Sequence, residues 1–560
     1  MKFLKGLPEI QHRKQPTPED PLKLRVGIFA PPLVEAFQPS LTLPYLSAQM
    51  ESFGFTPFCH NLSSLFYIWL FRRVRMESID IYRYLHDSMS VLRDPDRFYN
   101  QDDYHKALEC LENYIAELAE QDKIPYTLFP ASQVSIINEG TDLLSFVKSM
   151  SGTLLEKFLL DYVGFTLQIE TFDVIGFSAN NTFQLLSSIF IAQKLKQAKI
   201  PAHLVLGGHA VSITAPFINA NNELAGCFDS LVLEGGGDVF AQICDDLSQD
   251  RVKKAYWSCD VSSHYHQAEG LFPSGSPYHL SLQHDINDLY LSPHQVFSIY
   301  SALGCNYGAC IFCNSNRKSA LYLPRNINTL VDEMEWLQDQ YQISHFNISD
   351  NNFAPNRAEF LCEELEKRGK KIFWQCTSRI YDEYNTQLLN RMKKNGCILM
   401  NVGLESASDK ILARMKKGYT VKQVERMMDD LDTVKMPVHL YCICGFPGET
   451  QKDSEETISF LKNHSGQFHS VYFQDYNIQL ANKVFADELG NETEGYNANH
   501  TIDILKKDVK INQKFARYGN LIRLKGYPFI EDHNFLYLAN KYGCTGKSKK
   551  QNHLKSEEQK

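Results

Sequence analysis

Three kinds of feature are scarce or missing from this 560-residue chain. No apolar run approaches the ~20 residues that a membrane-spanning helix needs. The longest candidate, Leu65–Phe71, stops at Arg72-Arg73 and reads as a buried helix rather than a membrane-surface segment. The start, Met1-Lys-Phe-Leu-Lys-Gly-Leu-Pro8, has no apolar stretch long enough for a signal peptide, so the expectation is a cytoplasmic protein without a membrane span. Positive charge is not in excess: 57 basic residues stand against 66 acidic ones, a net −9. Phosphate binding needs clustered cations, so no nucleic-acid partner is expected, and the basic Lys547–Lys550 reads as a solvated tail. There is also no dinucleotide fingerprint and no second Cys-x-x-Cys pair beside Cys310-Ile-Phe-Cys313.

What is present is a chain too long for one ordinary core, with 43% apolar and 22% charged residues, normal for globular domains. Most of its 14 cysteines stand singly in apolar runs, as Cys376 and Cys397 do. They read as small core residues in a reducing compartment rather than as disulfide partners.

Residues 1–20 are polar and proline-bearing and read as a frayed tail. From 21 to 255, strands at Leu24–Ala30, Thr56–Asn61, Phe172–Ser178, His203–Gly208 and Ser230–Leu233 alternate with helices, interrupted by a mostly helical insertion at 63–170. Alternation with glycines at strand ends predicts a parallel sheet wound on both faces, with ligands beyond the strands' carboxyl ends. A linker is expected at 256–292. A second series, 293–480, has strands near 297–303, 344–350, 372–378, 398–405, 438–445 and 469–476. Six strand–helix units predict a partial (β/α) barrel with its chemistry at the strands' C-termini. Residues 481–560 read as a small C-terminal domain and tail.

The first strand of the second series ends in Cys305-Asn-Tyr-Gly-Ala-Cys310-Ile-Phe-Cys313. Three thiolates within nine residues can face one metal centre. A cubane iron–sulfur cluster takes four cysteines when closed, so three leave one iron open to a ligand. By spacing alone a structural zinc site stays open as a rival, although such sites want four ligands and Cys442 and Cys444, one residue apart on a strand, point to opposite faces. Polar groups mark the other strand ends: Ser349-Asp-Asn-Asn-Phe353, Gln375–Arg379, Gly403-Leu-Glu-Ser406 and Gly445-Phe-Pro-Gly-Glu449. Each alone reads as an ordinary cap or turn; four in succession beside a cysteine triplet do not.

On these residues the chain resembles the radical S-adenosylmethionine (SAM) superfamily, in the branch with an N-terminal cobalamin-binding domain, over roughly 22–62 and 170–475. The resemblance implies an α/β protein: a Rossmann-like doubly wound cobalamin domain, then a TIM-like partial (β/α)6 radical SAM barrel, then a small C-terminal domain. It implies a [4Fe–4S] cluster on Cys305, Cys310 and Cys313, although the first gap here has four residues instead of the usual three. By the same resemblance SAM is bound by Phe312, Asp350, Asn351, Arg379, Glu405, Ser406, Gly445 and Glu449, while Lys393–Gly396 and Lys417-Gly418 are punctuation of structural character. Cobalamin is implied at Ser178, Gly207, Gly208, Glu234, Gly235 and Gly236, with glycine N–H groups cradling phosphate. The signature that ligates cobalt through histidine is absent, and His209 has the wrong context for it.

The implied activity is reductive cleavage of SAM to a 5′-deoxyadenosyl radical, used to methylate an unactivated carbon of a small-molecule or peptide substrate, with flavodoxin or ferredoxin as electron donor. A ring contraction, cyclisation or redox rearrangement without methyl transfer is the alternative within the same chemistry. A methylthiotransferase would need a second cluster, and Cys59, Cys110 and Cys227 form no motif. A non-catalytic cobalamin or redox sensor is the alternative of another class.

Overall fold

The computed structural model describes residues 24–32, 42–124, 126, 143–164, 171–211, 214, 218, 221–233, 236–256, 290–313, 322–476, 521–523 and 531–543. The chain divides into two compact units, with the boundary between Ser298 and Ile299 and the short segment 339–343 grouped with the first.

In the first unit six strands form one parallel sheet: β1 (Val26–Ala30), β2 (Phe58–Asn61), β3 (Val174–Ser178), β4 (His203–Gly207), β5 (Ser230–Val232) and β6 (Ala255–Tyr256). Their order is β2-β1-β3-β4-β5-β6. β1 and β3 are buried along their whole length, as strands covered on both faces must be. The helix Gly237–Ser248 lays Phe240 against Gly176 of β3, where any Cβ would come within 2.7 Å of the ring. Val26, Ile28, Val174, Val205, Val239 and Ile243 complete this core. The order in which strands are added reverses between β1 and β3, the topological switch point where sheets of this order take ligands. The stretch between β2 and β3 is helical where described, with Leu62–Glu77, Ile79–Arg93 and Gln101–Asp122 its longest elements. Asn61, Ser78 and Asn100 cap those three helices through their side chains.

A second sheet has β7 (Val296–Ile299), the strand on which the unit boundary falls, at one edge, then β10 (His345–Ile348), β11 (Phe373–Ser378), β12 (Cys397–Glu405), β13 (Val438–Cys444) and β14 (Ser470–Asp475). Helices Ile327–Tyr341, Pro355–Arg368, Thr386–Lys394, Val421–Thr433 and Gln451–Asn463 alternate with these strands. β15 (Leu521–Arg523) adds antiparallel to β14 and leaves the sheet open, so part of the segment expected as a separate C-terminal domain extends the barrel sheet instead. A two-strand ribbon, β8 (Ala302–Leu303) with β9 (Leu323–Pro324), brackets the cysteine loop. Along β13 burial alternates: Val438, Leu440 and Cys442 face the helices, and His439, Tyr441 and Ile443 face the barrel interior. The helix Glu531–Leu538 sits at the N-terminal ends of the strands. Its Phe535 lies edge-on to His345 at 6.0 Å, and Asn534 Oδ1 lies 2.9 Å from His469 Nε2.

Among the described residues no helix is long and apolar enough to cross a membrane.

Candidate active site

The cysteine loop begins at a clamp. Ser301 N and Ala302 N donate to Asp350 Oδ1 at 2.7 and 3.0 Å, and Ser301 Oγ donates to Asp350 Oδ2 at 2.5 Å. Arg357, from the helix behind, donates to Ser301 Oγ at 3.1 Å and to Ser301 O at 2.5 Å. Burial raises the Asp350 pKa, opposed by these hydrogen bonds and the guanidinium. Three chain donors thus already occupy the carboxylate of Asp350, expected above to bind SAM, and it is 3% exposed. Its role is to anchor the loop.

A second tie is one that sequence reasoning missed. Asn352 Nδ2 donates to Asn306 Oδ1 at 2.5 Å and to Tyr381 Oη at 2.6 Å, while Asn352 Oδ1 accepts from Arg379 N at 3.1 Å. One buried amide thus joins the cysteine loop to the ends of β10 and β11. The only cue in the sequence was the tandem Asn351-Asn352, of which Asn351 is the exposed member.

The loop's far side rests on the turn after β12. Tyr307 Oη donates to Lys416 O at 2.7 Å, and Ile311 N donates to Met415 O at 3.2 Å. Gly418 has φ +69°, and a Cβ there would sit 2.4 Å from Tyr307 Oη, so glycine is required for the loop to seat. Arg379 donates to Lys417 O and lays its guanidinium 3.5 Å from the centroid of the Tyr307 ring. Phe312 packs edge-on to Phe446 at 6.4 Å, beside Ile311, Ile411 and Met415.

β12 ends irregularly. Its register with β13 shifts between Gly403 and Glu405, and Glu405 has φ 61°, a left-handed conformation rare outside glycine. The carboxylate folds back over Gly403, where a Cβ would meet Oε1 at 2.5 Å, and accepts from Lys417 Nζ at 3.0 Å. Burial opposes the charge on Lys417, but Glu405, Tyr419 and Cys310 together outweigh it and raise the pKa of the ammonium. Lys417 also lies 5.5 Å from the Phe312 ring. The reading of Lys417-Gly418 as punctuation understates them: one supplies a buried cation and the other the space for Tyr307.

Ser406, also expected above to bind SAM, is fully buried, with its hydroxyl 3.3 Å from Thr457 Oγ1 and accepting from Ser408 N, so it organises the turn. At the end of β13, Gly445 (φ 71°) donates its N–H to Glu449 Oε2 at 2.5 Å. Burial pushes the Glu449 carboxyl up to about 7.

Cys305, Cys310 and Cys313 are all half-buried on this loop. Burial pushes the Cys310 thiol up to about 11, with Lys417 and Arg379 pulling the other way. Three soft donors on one loop, with cations at hand, suit a thiophilic iron–sulfur group. The sulfurs are not prebuilt as a ligand set, since among the described residues no three His, Cys, Asp or Glu side chains converge for a metal. Cys442 and Cys444 are buried in β13.

In the first unit, Ser178 closes β3 and accepts from Asn180 Nδ2 at 3.4 Å; the same amide donates to Thr42 Oγ1 at 3.0 Å. Gln184 Nε2 donates to Pro31 O at 3.2 Å, tying the ends of β1 and β3 together at the switch point. Gly207 and Gly208 close β4; Gly208 has φ +109°, and a Cβ there would overlap Ala179 O at 2.3 Å. Glu234 and Gly235 lie outside the described residues. Of the expected cradle, Gly236 donates its N–H to Asp238 Oδ1 at 2.9 Å, and beside it Gly237 donates to Gln49 Oε1 at 2.7 Å.

Residues 299–461 match the model of the Radical SAM superfamily. Relatives include an uncharacterized methyltransferase of Pyrococcus horikoshii, 25% identical over 52% of this chain and 64% of its own length. Another is the anaerobic magnesium-protoporphyrin IX monomethyl ester cyclase of Rubrivivax gelatinosus, 27% identical over 41% of this chain and 43% of its own. The chain thus spans less than two thirds of these relatives. Among solved structures, the cobalamin-dependent SAM radical enzyme OxsB, with aqua-cobalamin and SAM bound, aligns with TM-score 0.51 at 13% identity, covering 93% of this chain and 66% of that one, a likeness of fold. The match at 299–461 takes in the cysteine loop and the strand ends described above, so the likeness to the Radical SAM superfamily falls on the site itself.

Proposed function

We propose that the protein is a cobalamin-dependent radical SAM enzyme whose most fitting reaction is methyl transfer to an unactivated carbon of a small-molecule or peptide substrate. The observation that carries this is the cysteine loop itself: three half-buried thiols, clamped at Asp350 and seated on the Lys417 turn, inside the matched domain. Cys305, Cys310 and Cys313 would hold a [4Fe–4S] cluster, which when bound supplies the electron for splitting SAM. This chain's own part is to place and shield. Phe312 and Gly445 would flank the SAM adenine, Arg379 and Lys417 offer cations to its carboxylate, and Glu405 and Glu449 hold acceptors near by. Ser178 and Gly207-Gly208, at the switch-point edge of the first sheet, support cobalamin there; the aqua-cobalamin of OxsB in a like fold adds to this reading. An electron donor such as flavodoxin or ferredoxin and a cytoplasmic setting suit a chain of this chemistry.

Reconstituted anaerobically with iron, sulfide and cobalamin, the protein should form 5′-deoxyadenosine from SAM under dithionite. Failure to do so with a correctly loaded cluster would favour a sensor. The cyclase names among the relatives favour one second reading, a rearrangement without methyl transfer. Methyl transfer consumes two SAM per product and the rearrangement does not, so SAM stoichiometry separates the two.

A further inference from the structure

The interior of the barrel in the second unit is unusually polar. The inward positions of β10 to β14 hold Asn347, Gln375, Thr377, Asn401, His439 and Tyr441, where closed barrels stack branched aliphatic side chains. The facing is fixed by alternation. Trp374, next to Gln375, points outward and donates Nε1 to Asn395 O, while Phe373 stacks on the inward His345 at 5.3 Å.

Two of these side chains stand apart. Gln375 is 0% exposed and Asn401 1%. Among the described residues, neither the Nε2 nor the Oε1 of Gln375, nor the Nδ2 of Asn401, meets a hydrogen-bond partner. They are diagonal neighbours on one face: Gln375 pairs in register with Leu399, and Asn401 follows two residues on. An unsatisfied buried amide is costly and unusual in native structures. His439, level with Asn401, has its Nδ1 2.7 Å from Ser470 Oγ.

We infer that Gln375 and Asn401 form a recognition site inside the barrel for an amide group of the substrate, a peptide bond or a carboxamide. Gln375 leaves both a donor and an acceptor open, so its ligand must offer both an acceptor and a donor. That holds whichever way the side-chain amide is turned. A carboxylate offers acceptors only, and a hydrocarbon offers neither. Asn401 Nδ2 adds a second donor to the ligand's carbonyl. The inference deepens the enzymatic reading by naming the substrate's chemistry, and it rests on that reading only for what happens after binding.

The test reads binding without turnover, so its failure leaves the SAM-cleavage assay untouched. N-acetyl-L-alaninamide is titrated into the full chain, with acetate and N,N-dimethylacetamide, which offer acceptors only, as comparators, and followed by ligand-observed NMR. The amide probe should bind and the comparators should not. Gln375→Met, close in shape, should weaken the probe about tenfold, as expected where a site built for hydrogen bonds loses them. Gln375→Met and Asn401→Leu should also raise the melting temperature, because each removes a buried amide that the resting protein leaves unpaired. Equal binding of all three probes, or Gln375→Met binding as the native chain does, would overturn the inference. So would a high-resolution structure showing ordered water satisfying both amides, together with a lowered melting temperature in both variants.

Discussion

Lys417 Nζ lies 3.0 Å from Glu405 Oε1, with the two side chains 6% and 12% exposed. The pair exists because Gly403 has no side chain: the carboxylate occupies the space where a Cβ would go. It sets a buried cation within 5.5 Å of the Phe312 ring on the cysteine loop.

Removing one member of such a pair strands the other in low dielectric. Lys417→Met should therefore destabilise the protein by about 3–5 kcal/mol, and Glu405→Gln combined with it should recover much of the loss. Gly403→Ala should act like a partial version of the single change, by displacing the carboxylate at a cost of about 1–3 kcal/mol. Urea unfolding of the native chain, Lys417→Met, Glu405→Gln, the double variant and Gly403→Ala checks this; additive losses in the double variant would show that the pair is not coupled.

Asp350→Asn should damage the cysteine loop. The clamp needs two acceptor oxygens, for two backbone N–H groups and a hydroxyl, and an amide nitrogen would face a donor. The cost should be about 1–3 kcal/mol, and iron and sulfide incorporation should fall with it. Once the residual cluster is allowed for, SAM affinity should be unchanged; a selective loss of SAM binding would return Asp350 to the ligand site.

Cys305→Ala, Cys310→Ala and Cys313→Ala should each abolish SAM cleavage and bleach the cluster's visible absorbance after reconstitution. Full activity in any one of them would remove that residue from the ligand set.

Glu449 gives a pH signature. Its carboxyl is raised from the ordinary 4.5 to about 7, chiefly by burial. In the range between those values the folded chain holds a proton that the unfolded chain releases. Stability from this group is therefore full below about 4.5 and falls as pH rises through 7, by on the order of 3 kcal/mol. Glu449→Gln, neutral and able to accept from Gly445 N, should flatten that part of the profile. Thermal melts from pH 4.5 to 8 that decline equally in both proteins would assign the dependence elsewhere.

The alternating architecture was legible because strand and helix patterns with glycine punctuation depend on local residues. All six barrel strands fall where Phe297 through Tyr476 placed them, to within a few residues. The cysteine loop was legible as a metal centre because three soft donors at close spacing can face one ion or cluster, while the spacing alone left zinc open beside iron–sulfur. Ties between distant parts of the chain were not. Asn352 looks like any strand-end asparagine until Asn306, Tyr381 and Arg379 are brought to it, and Lys417 looks like a surface lysine until Glu405 folds back. Asp350 and Ser406 were read as facing a ligand because a polar residue at a strand end does not announce which of its neighbours will claim its hydrogen bonds. The Gln375 and Asn401 amides looked like strand interior, since facing only becomes meaningful once the sheet has curved.

The antiparallel strand β15 has a consequence of its own. A sheet that never closes on itself keeps raw rims, and a rim with free amides and carbonyls recruits other chains. Leu521–Arg523 runs backwards along Ser470–Tyr472 and takes up the hydrogen-bonding row that this half of β14 would otherwise offer to a stranger. Its three residues thus guard the open barrel against joining another of its kind.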